Sequence, residues 1–478
     1  LTNFSINLTR MNTLTTTFAV CLAFATSSAP ATPGSPKPNI LILLSDDQGY
    51  ADLGVQGSKD IPTPNIDSLA RHGVRCTEGY VSSPMCSPSR AGLITGRSQS
   101  RFGHDINWEP EWPVDPNDPR GLPLSEKTIA DHLKAAGYHT GVVGKWHLGE
   151  APPFHPNRRG FDEFFGFISG GHNYFCDKYR DSPPLHHYNS LLERNGEPQP
   201  ATPGYLTTLL GDEAAAFIHR NKEKPWLLYT AFNAPHTPLQ ATPELLERVK
   251  HIDDDRRRTY AAMVVGLDDA VGRILKQLRD DGLEEQTLIF FLSDNGGPPE
   301  DNASSNTPLR GRKGQMWEGG IRVPFIAQWK GVLPAGKTYK RPVSSLDILP
   351  TALAAAGATS TTSQPLDGVD LAPYLTGRKP GDPHEMLFWR IAERNIWAVR
   401  SGDHKLIMQG QKPKLYDLAS DISESRDLVG KMPEVQARLQ KAYDEWSATL
   451  PNPLWTVYKT PERKAADEAR RMRNRLKQ

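Results

Sequence analysis

Cysteine is scarce in this chain: four in 478 residues, at positions 21, 76, 86 and 176. No two of them form a Cys-x-x-Cys pair, which excludes a cysteine-based zinc site and thioredoxin-like redox chemistry. Cys21 falls in an N-terminal leader, so three cysteines follow it, an odd number that leaves at least one outside any intramolecular disulfide. Net charge is nearly absent too. With 56 Lys and Arg against 55 Asp and Glu there is no electrostatic footprint for nucleic acid. Long apolar runs are missing: residues 14–25 are apolar but too short to span a bilayer, which excludes a transmembrane anchor. There are no internal repeats.

Glycine and proline are plentiful, at 39 and 41, and imply many loops on a rigid scaffold. Residues 1–31 read as a signal peptide, with Met11 as the true start and small residues Ser27, Ser28, Ala29 and Ala31 suited to cleavage. Residues 32–38 are a Pro/Gly/Ser linker. The mature chain is expected to meet the export machinery and to be periplasmic or secreted.

Beyond the linker, strands alternate with helices. The run Asn39-Ile-Leu-Ile-Leu-Leu-Ser45 suits a strand buried on both faces, and it ends in Asp46-Asp47-Gln48-Gly49. Residues 64–72 read as a helix with Thr63 as N-cap and Gly73 as stop. Residues 74–81 read as a strand that delivers the chain to Cys86-Ser-Pro88-Ser-Arg90. Pro88 suits a first helical position, which places Cys86 at the mouth of a helix N-terminus, where an anion is favoured. A helix at 127–136 precedes a strand at 139–143 that ends in Gly144-Lys145-Trp146-His147. Residues 98–124, 157–167 and 170–196 read as irregular. A helix at 206–220 leads to a strand at 225–232 ending in Asn233-Ala-Pro-His236. A helical period at 263–278 precedes an all-apolar strand at 287–292 ending in Ser293-Asp294-Asn295-Gly296-Gly297. A glycine-rich cationic loop at 309–324 carries Lys313. A strand at 323–329 and a helix at 345–357 follow.

This alternation predicts an α/β fold, with a large, mostly parallel central sheet sandwiched by helices over 39–376. Past 377 the pattern changes. Short strand-like runs at 386–389, 396–400, 404–408 and 414–417, then a helix at 435–450, predict a smaller α+β subdomain, 377–478, with an antiparallel sheet. The charged tail at 462–478 reads as a solvated helix.

Five strand ends thus carry polar groups: Asp46 and Asp47; Cys86 and Arg90; Lys145 and His147; His236; Asp294 and Asn295. In open α/β sheets such ends converge on one crevice. Taken singly each has a plain reading: a core cysteine, a solvated turn, a structural histidine. Together, Asp46, Asp47, Asp294 and Asn295 offer only hard oxygen ligands, which suit Ca²⁺ or Mg²⁺ rather than zinc, and the side-chain amide favours Ca²⁺. Arg90, Lys145, His147, His236 and Lys313 supply positive charge and proton donors. The chemistry implied is cleavage of a sulfur or phosphorus ester with Lewis-acid help.

Cys86-x-Pro88-Ser-Arg90 followed by Ala-Gly-Leu-Ile-Thr-Gly resembles the signature of the type I, formylglycine-dependent sulfatases of the alkaline phosphatase superfamily. The resemblance extends through Asp-Asp-Gln-Gly-Tyr at 46–50, Gly-Lys-Trp-His-Leu-Gly at 144–149, Ala-Pro-His at 234–236, Ser-Asp-Asn-Gly-Gly at 293–297, Gly-Arg-Lys-Gly and Trp-Glu-Gly-Gly within 311–320, and Leu415-Tyr-Asp-Leu. It implies an arylsulfatase-type sulfuric ester hydrolase in which a formylglycine-generating or sulfatase-maturing enzyme converts Cys86 (3-oxoalanine) and the hydrated aldehyde attacks sulfur. It further implies that Asp46, Asp47, Asp294, Asn295 and the oxygen at position 86 hold one Ca²⁺. Arg90 would hold the diol, Lys145 and Lys313 the sulfate oxygens. His147 would take a proton during sulfate release, and His236 or Lys313 would protonate the leaving alcohol.

Arg101, His104, His172 and Asn173 lie in irregular stretches and are expected substrate contacts. Trp108 and Trp112 read mainly as packing residues. Cys76 and Cys176 read as core thiols or a weak disulfide. The expected substrate is a sulfated polysaccharide or oligosaccharide. A phosphonate or phosphate ester hydrolase of the same superfamily is the nearest alternative, although those enzymes usually carry Asp-His where Asp294-Asn295 stands. A catalytically silent protein that binds sulfated glycans is the second alternative, and it predicts losses in the metal or cationic set.

Overall fold

The computed structural model describes residues 1–2, 37–108, 115–176, 191–200 and 203–456. The leader, Cys21, Trp112 and the charged tail lie outside the described residues. The strands, in chain order, are β1 (Asn39–Ser45), β2 (Val74–Tyr80), β3 (His139–Lys145), β4 (Glu163–Phe167), β5 (Glu193–Arg194), β6 (Glu197–Pro198), β7 (Trp226–Ala231), β8 (Thr287–Ser293), β9 (Arg322–Gln328), β10 (Lys337–Tyr339), β11 (Val343–Ser344) and β12–β15 (Leu387–Ile391, Ile396–Ser401, His404–Met408, Pro413–Asp417). The large sheet has the order β10-β2-β9-β8-β1-β7-β3-β4-β5-β6, with β11 beside β2.

β8, β1, β7, β3 and β4 are mutually parallel. β9 runs antiparallel to both β8 and β2. Two reversals restore direction, so β2 ends at the same edge as β8, β1, β7 and β3. The start of β9 faces that edge as well, which brings the loop ahead of it to the same place. One antiparallel strand therefore gathers Lys313 with the five strand ends.

The alternation of β1 explains the layers. Ile40, Ile42 and Leu44 enter one apolar cluster, and Leu41 and Leu43 enter the other. The first cluster includes Leu93 and Ile94 of helix α2 (Cys86–Thr95) and Ile129 and Leu133 of α3 (Ile129–Ala135). The second includes Ile66 and Leu69 from helix α1 (Pro64–Arg71), Leu206 and Leu210 from Leu206–Arg220, and the apolar residues between Met263 and Leu278 of the helix Asp255–Asp280. Apolar strands buried on both faces demand such a sandwich, because either face left bare would expose a broad apolar surface. Cys76 packs in the first cluster and Cys176 against the second, on opposite faces of the sheet, so the two do not meet.

Two local expectations change. Cys86 itself is the first residue of α2, with Met85 as N-cap, so Pro88 stands third rather than first. Proline is still tolerated there, because the first-turn N–H groups have no intrahelical acceptor. Residues 157–167, expected to be irregular, contain β4, which pairs with β3 along its length. Its aromatic residues obscured the strand because Phe164 and Phe165 enter opposite core layers.

β12–β15 form a four-stranded antiparallel sheet. On one face Trp397 stacks on Tyr443 at 4.0 Å and Phe388 on Trp446 at 5.0 Å, both from the helix Pro433–Ala448. On the other face Trp389 packs on Tyr80 and donates from Nε1 to the Val81 carbonyl at 2.7 Å. Described residues from 37 onward form one compact unit. No described helix is long and apolar enough to cross a membrane.

A buried ion network joins the two sheets. Lys405 of β14 meets Glu318 at 2.8 Å and Glu424 at 2.9 Å, with all three side chains inaccessible to solvent. Glu424 also accepts the Glu318 N–H at 2.7 Å, and Tyr80 donates to Glu318 at 2.6 Å. Removing the ammonium leaves two buried carboxylates facing each other. Lys405→Met is therefore expected to destabilise the protein by about 3–5 kcal/mol. Lys276→Ala, which breaks the exposed pair with Asp280, is expected to shift stability by less than about 0.5 kcal/mol. Denaturant unfolding of the two variants measures the contrast.

Candidate active site

At the shared sheet edge, Asp46 and Asp47 follow β1, Asp294 and Asn295 follow β8, and Lys145 ends β3, with His147 just beyond it. Asp47 and His147 both adopt φ of +59°, the left-handed region that costs a non-glycine residue about 1–3 kcal/mol. Each stands second after its strand.

Potential ligand atoms of Asp46, Asp47, Cys86 and Asp294 lie within 4.8 Å of one another. Cys86 Sγ is 3.7 Å from Asp46 Oδ1. Asn295 donates from Nδ2 to Asp47 Oδ1 at 2.6 Å, while its own Oδ1 is buried with no hydrogen-bond partner among the described residues. A buried carbonyl oxygen left over beside three carboxylates is the donor set of a hard divalent cation. The residues present therefore fit calcium.

The cations are shared among these carboxylates. Arg90, fully buried on α2, donates from Nε and Nη2 to Asp294 Oδ2 at 3.0 and 2.8 Å. Its Nη2 also lies 3.3 Å from Asp46. A third bond, from Nη1 to the Lys145 carbonyl at 3.1 Å, ties α2 to β3. Lys145 Nζ meets Asp46 Oδ2 at 2.5 Å, and Lys313 Nζ meets Asp47 Oδ1 at 2.7 Å. His236 Nε2 stands 3.6 Å from Asp47, and its Nδ1 bonds the Thr237 carbonyl at 2.6 Å.

Burial raises the Asp46 carboxyl, but Lys145, His236, Arg90 and Lys313 together overcome it and hold the group well below the usual range. Asp294 moves the other way, raised by burial and by the adjacent Asp46 charge. Burial pushes the Cys86 thiol up to about 12 despite Lys145 and Lys313, so an unmodified thiol here is a poor nucleophile at neutral pH. Burial, with Lys145 and Arg90 nearby, holds His147 far below its ordinary value, and burial also lowers His236. Both imidazoles are therefore neutral near pH 7.

The loops touch backbone to backbone. Gly296 donates to the Gly320 carbonyl at 3.1 Å, and a Cβ at Gly296 would fall 1.9 Å from the Gly319 oxygen. Gly314 donates to the Pro84 carbonyl at 2.8 Å, which joins the Lys313 loop to the segment entering α2.

The expected substrate contacts divide. His104 is fully buried and lies behind Cys86: its Nε2 is 2.7 Å from Ser87 Oγ, which donates to the His147 carbonyl at 2.7 Å. Burial pushes His104 down to about 3, and Trp108 and Trp455 pack on its ring. It supports the site from within instead of meeting substrate. Arg101 is drawn to Asp367 by a bidentate pair, in a separate cavity of about 140 Å³ that it shares with Ser82, His384 and Trp446. His172 and Asn173 are buried near His236, where Asn233 donates to the His172 carbonyl at 2.9 Å and Tyr174 donates to the His236 carbonyl at 2.8 Å. Sequence reasoning missed Ser87 with its partner Asn107, whose Oδ1 accepts the Ser87 N–H at 3.0 Å, and also Asn306 and Trp455. Ser87 and Asn306 lie in or beside motifs and were within reach. Nothing local marks Trp455, whose partners are more than three hundred residues away.

A carboxylate cluster ringed by cations, with a helix N-terminus presenting residue 86, defines a hydrolase for esters of a tetrahedral oxyanion. The family model described as Sulfatase matches residues 38–358. N-acetylgalactosamine-6-sulfatase of Homo sapiens is 36% identical over 385 residues, covering 78% of this chain and 72% of that protein. The crystal structure of Ps i-CgsB in complex with k-i-k-neocarrahexaose matches with a TM-score of 0.83 and 38% identity, over 89% of this chain and 96% of that one. The phosphonate monoester hydrolase of Agrobacterium radiobacter, at 22% identity and a TM-score of 0.62, covering 89% of this chain and 99% of its own, shares the fold. This chain belongs to the sulfatase family. It is an enzyme that hydrolyses sulfate esters.

Gly296→Ala forces the Asp294 and Glu318 segments apart. Displacement on the order of 1 Å at reacting groups costs about 100-fold in rate, so sulfatase turnover is expected to fall about that far, measured with a nitrophenyl sulfate.

Proposed function

We propose that this sulfatase acts on a sulfated polysaccharide or oligosaccharide after export to the periplasm or medium, and that Cys86 is matured to formylglycine beside one calcium ion. The observation that carries this is the buried cluster itself. Three carboxylates and an orphaned amide oxygen surround a residue 86 whose thiol is held protonated by burial.

Asp46, Asp47, Asp294 and Asn295 are the residues that would hold calcium, with the oxygen at position 86. When bound, calcium supplies Lewis-acid polarisation, and formylglycine supplies a hydrated aldehyde whose two hydroxyls serve attack and release. Arg90 orients residue 86 and fixes Asp294. Lys145 and Lys313 neutralise the sulfate oxygens, and the preorganised positive charge stabilises the transition state more than the ground state. His147, neutral and with Nδ1 lacking a partner among the described residues, accepts the proton released as sulfate leaves. Protonation of the departing alcohol falls to His236 or Lys313, and the lowered His236 favours Lys313.

The carbohydrate reading is supported by the names of the relatives, one an N-acetylgalactosamine-6-sulfatase and one solved with a neocarrahexaose. The loops at 98–124 and 168–196 are proposed to set which sugar is accepted.

Cys86→Ala is expected to keep the fold and abolish turnover, and Cys86→Ser to do nearly the same without a serine-type maturase. Mass analysis of tryptic peptide 76–90 from protein matured in its own host should show the Cys86 thiol converted to an aldehyde, with sulfur replaced by oxygen and two hydrogens lost; replacement of sulfur alone would give serine. Unconverted cysteine in active enzyme sinks the formylglycine reading. A chelator should lower the thermal midpoint, because a ligand at about 100 times its Kd contributes about 2.7 kcal/mol. Comparing nitrophenyl sulfate with nitrophenyl phosphonate tests the oxyanion: a dominant phosphonate rate overturns sulfate as the preferred ester.

A further inference from the structure

Three of the loops that build the site are touched by one side chain. Asn306 is buried, with 4% of its surface exposed. Its Oδ1 accepts the Tyr50 N–H at 3.3 Å and the Gly297 N–H at 3.1 Å. Its Nδ2 donates to the Gly297 carbonyl at 2.8 Å and to the Gly311 carbonyl at 3.1 Å. Tyr50 continues the Asp46–Asp47 loop, Gly297 the Asp294–Asn295 loop, and Gly311 the loop of Lys313. The Gly297 carbonyl also accepts the Lys313 N–H at 3.4 Å, so the bond from Asn306 lies directly beside the backbone of that lysine.

An amide offers two acceptor lone pairs and two donors, and here all four are used. No other side chain of this size supplies that set. Aspartate has the acceptors without the donors, and serine has a single donor on a shorter side chain. The contacts are all to backbone, so they set loop positions regardless of neighbouring side chains.

We propose that Asn306 is the positioning residue that registers the two carboxylate-bearing loops and the Lys313 loop against each other. Without it, each loop is still anchored at its own strand, but their mutual spacing relaxes. The carboxylates then no longer converge, and Lys313 loses its place against Asp47. The metal side of this proposal rests on the calcium reading above. The kinetic side rests only on the family's sulfate ester hydrolysis.

The test compares Asn306→Asp and Asn306→Ser with Asp268→Asn in purified, matured enzyme. Asp268 caps the helix Pro64–Arg71 by accepting the N–H groups of Asn65 and Ile66 at 3.0 and 2.8 Å, away from the three loops. Calcium affinity is measured by calorimetry on chelator-treated protein, and kcat with a nitrophenyl sulfate. Residues that orient metal ligands typically matter by about 10–100-fold, so both Asn306 variants should lose about that much in calcium affinity and in kcat. Asp268→Asn should lower the thermal midpoint while keeping both. If Asn306→Asp does not fold, Asn306→Ser carries the same comparison. Folded Asn306 variants with wild-type affinity and kcat overturn the proposal, and so does an equal loss in Asp268→Asn. A wild-type enzyme that binds no calcium refutes the calcium reading instead, and kcat alone then judges Asn306.

Discussion

Three carboxylates buried at one sheet edge repel each other and lose their hydration, and no fold holds them there without compensating positive charge. In this protein Asp46, Asp47 and Asp294 meet Arg90, Lys145 and Lys313 at hydrogen-bonding distance. The opposite displacements of Asp46 and Asp294 are the signature of that crowding: the carboxyl closest to the cations is held ionised, and its neighbour is pushed towards protonation. A divalent cation would relieve the repulsion further and leave the cationic side chains available to an anionic ester. The same constraint explains why Arg90 is entirely inaccessible to solvent. Its guanidinium bridges Asp294, Asp46 and the Lys145 carbonyl, and so joins α2 to β1, β3 and β8 in one contact set.

Meeting that constraint requires loops that approach very closely. The glycines at 296, 319 and 320 serve this need: backbone packs directly on backbone where side chains would hold the loops apart. The C-terminal sheet takes part as well. Lys405 and Glu424 grip Glu318, within the same loop system that carries Lys313, through charges buried between the two sheets. The smaller sheet is thus a brace for the catalytic edge. The buried ions are costly in free energy, but they fix register, since an unpaired charge in that interior would cost far more than a slipped apolar contact.

Legibility in the sequence followed the range of the interactions. Strands such as 39–45 and 287–293 were plain, because unbroken apolar runs bounded by polar residues have few other readings. The helix Leu206–Arg220 was readable to its ends. β4 was not, because its aromatic residues serve two core layers and glycine interrupts them. The sequence places the helix start at Pro88, two positions late, because that start is decided by the N-cap conformation of Met85, for which the sequence carries no capping side chain. Arg101 reads from the sequence as a substrate contact in an irregular stretch. Its partner Asp367 is more than 260 residues away and invisible to local reasoning.

The sequence by itself determined the chemical inventory and its grouping: which residues follow which strand, that the candidate metal ligands are hard oxygens, and that Cys86 opens a helix. These are local properties, set by hydropathy period and by residue type. The tertiary structure decided what the inventory could do. Only the sheet order, with β9 reversed, brings Lys313 to the same edge as the strand ends. Only the packing of distant segments distinguishes His104, sealed behind Ser87 beneath Trp108 and Trp455, from His147 at the strand end, and only burial makes the Cys86 thiol unfit to act as it stands. Burial, direction and the spacing between distant loops belong to no single segment. They arise when the layers close over one another, and that closure turns scattered side chains into a site.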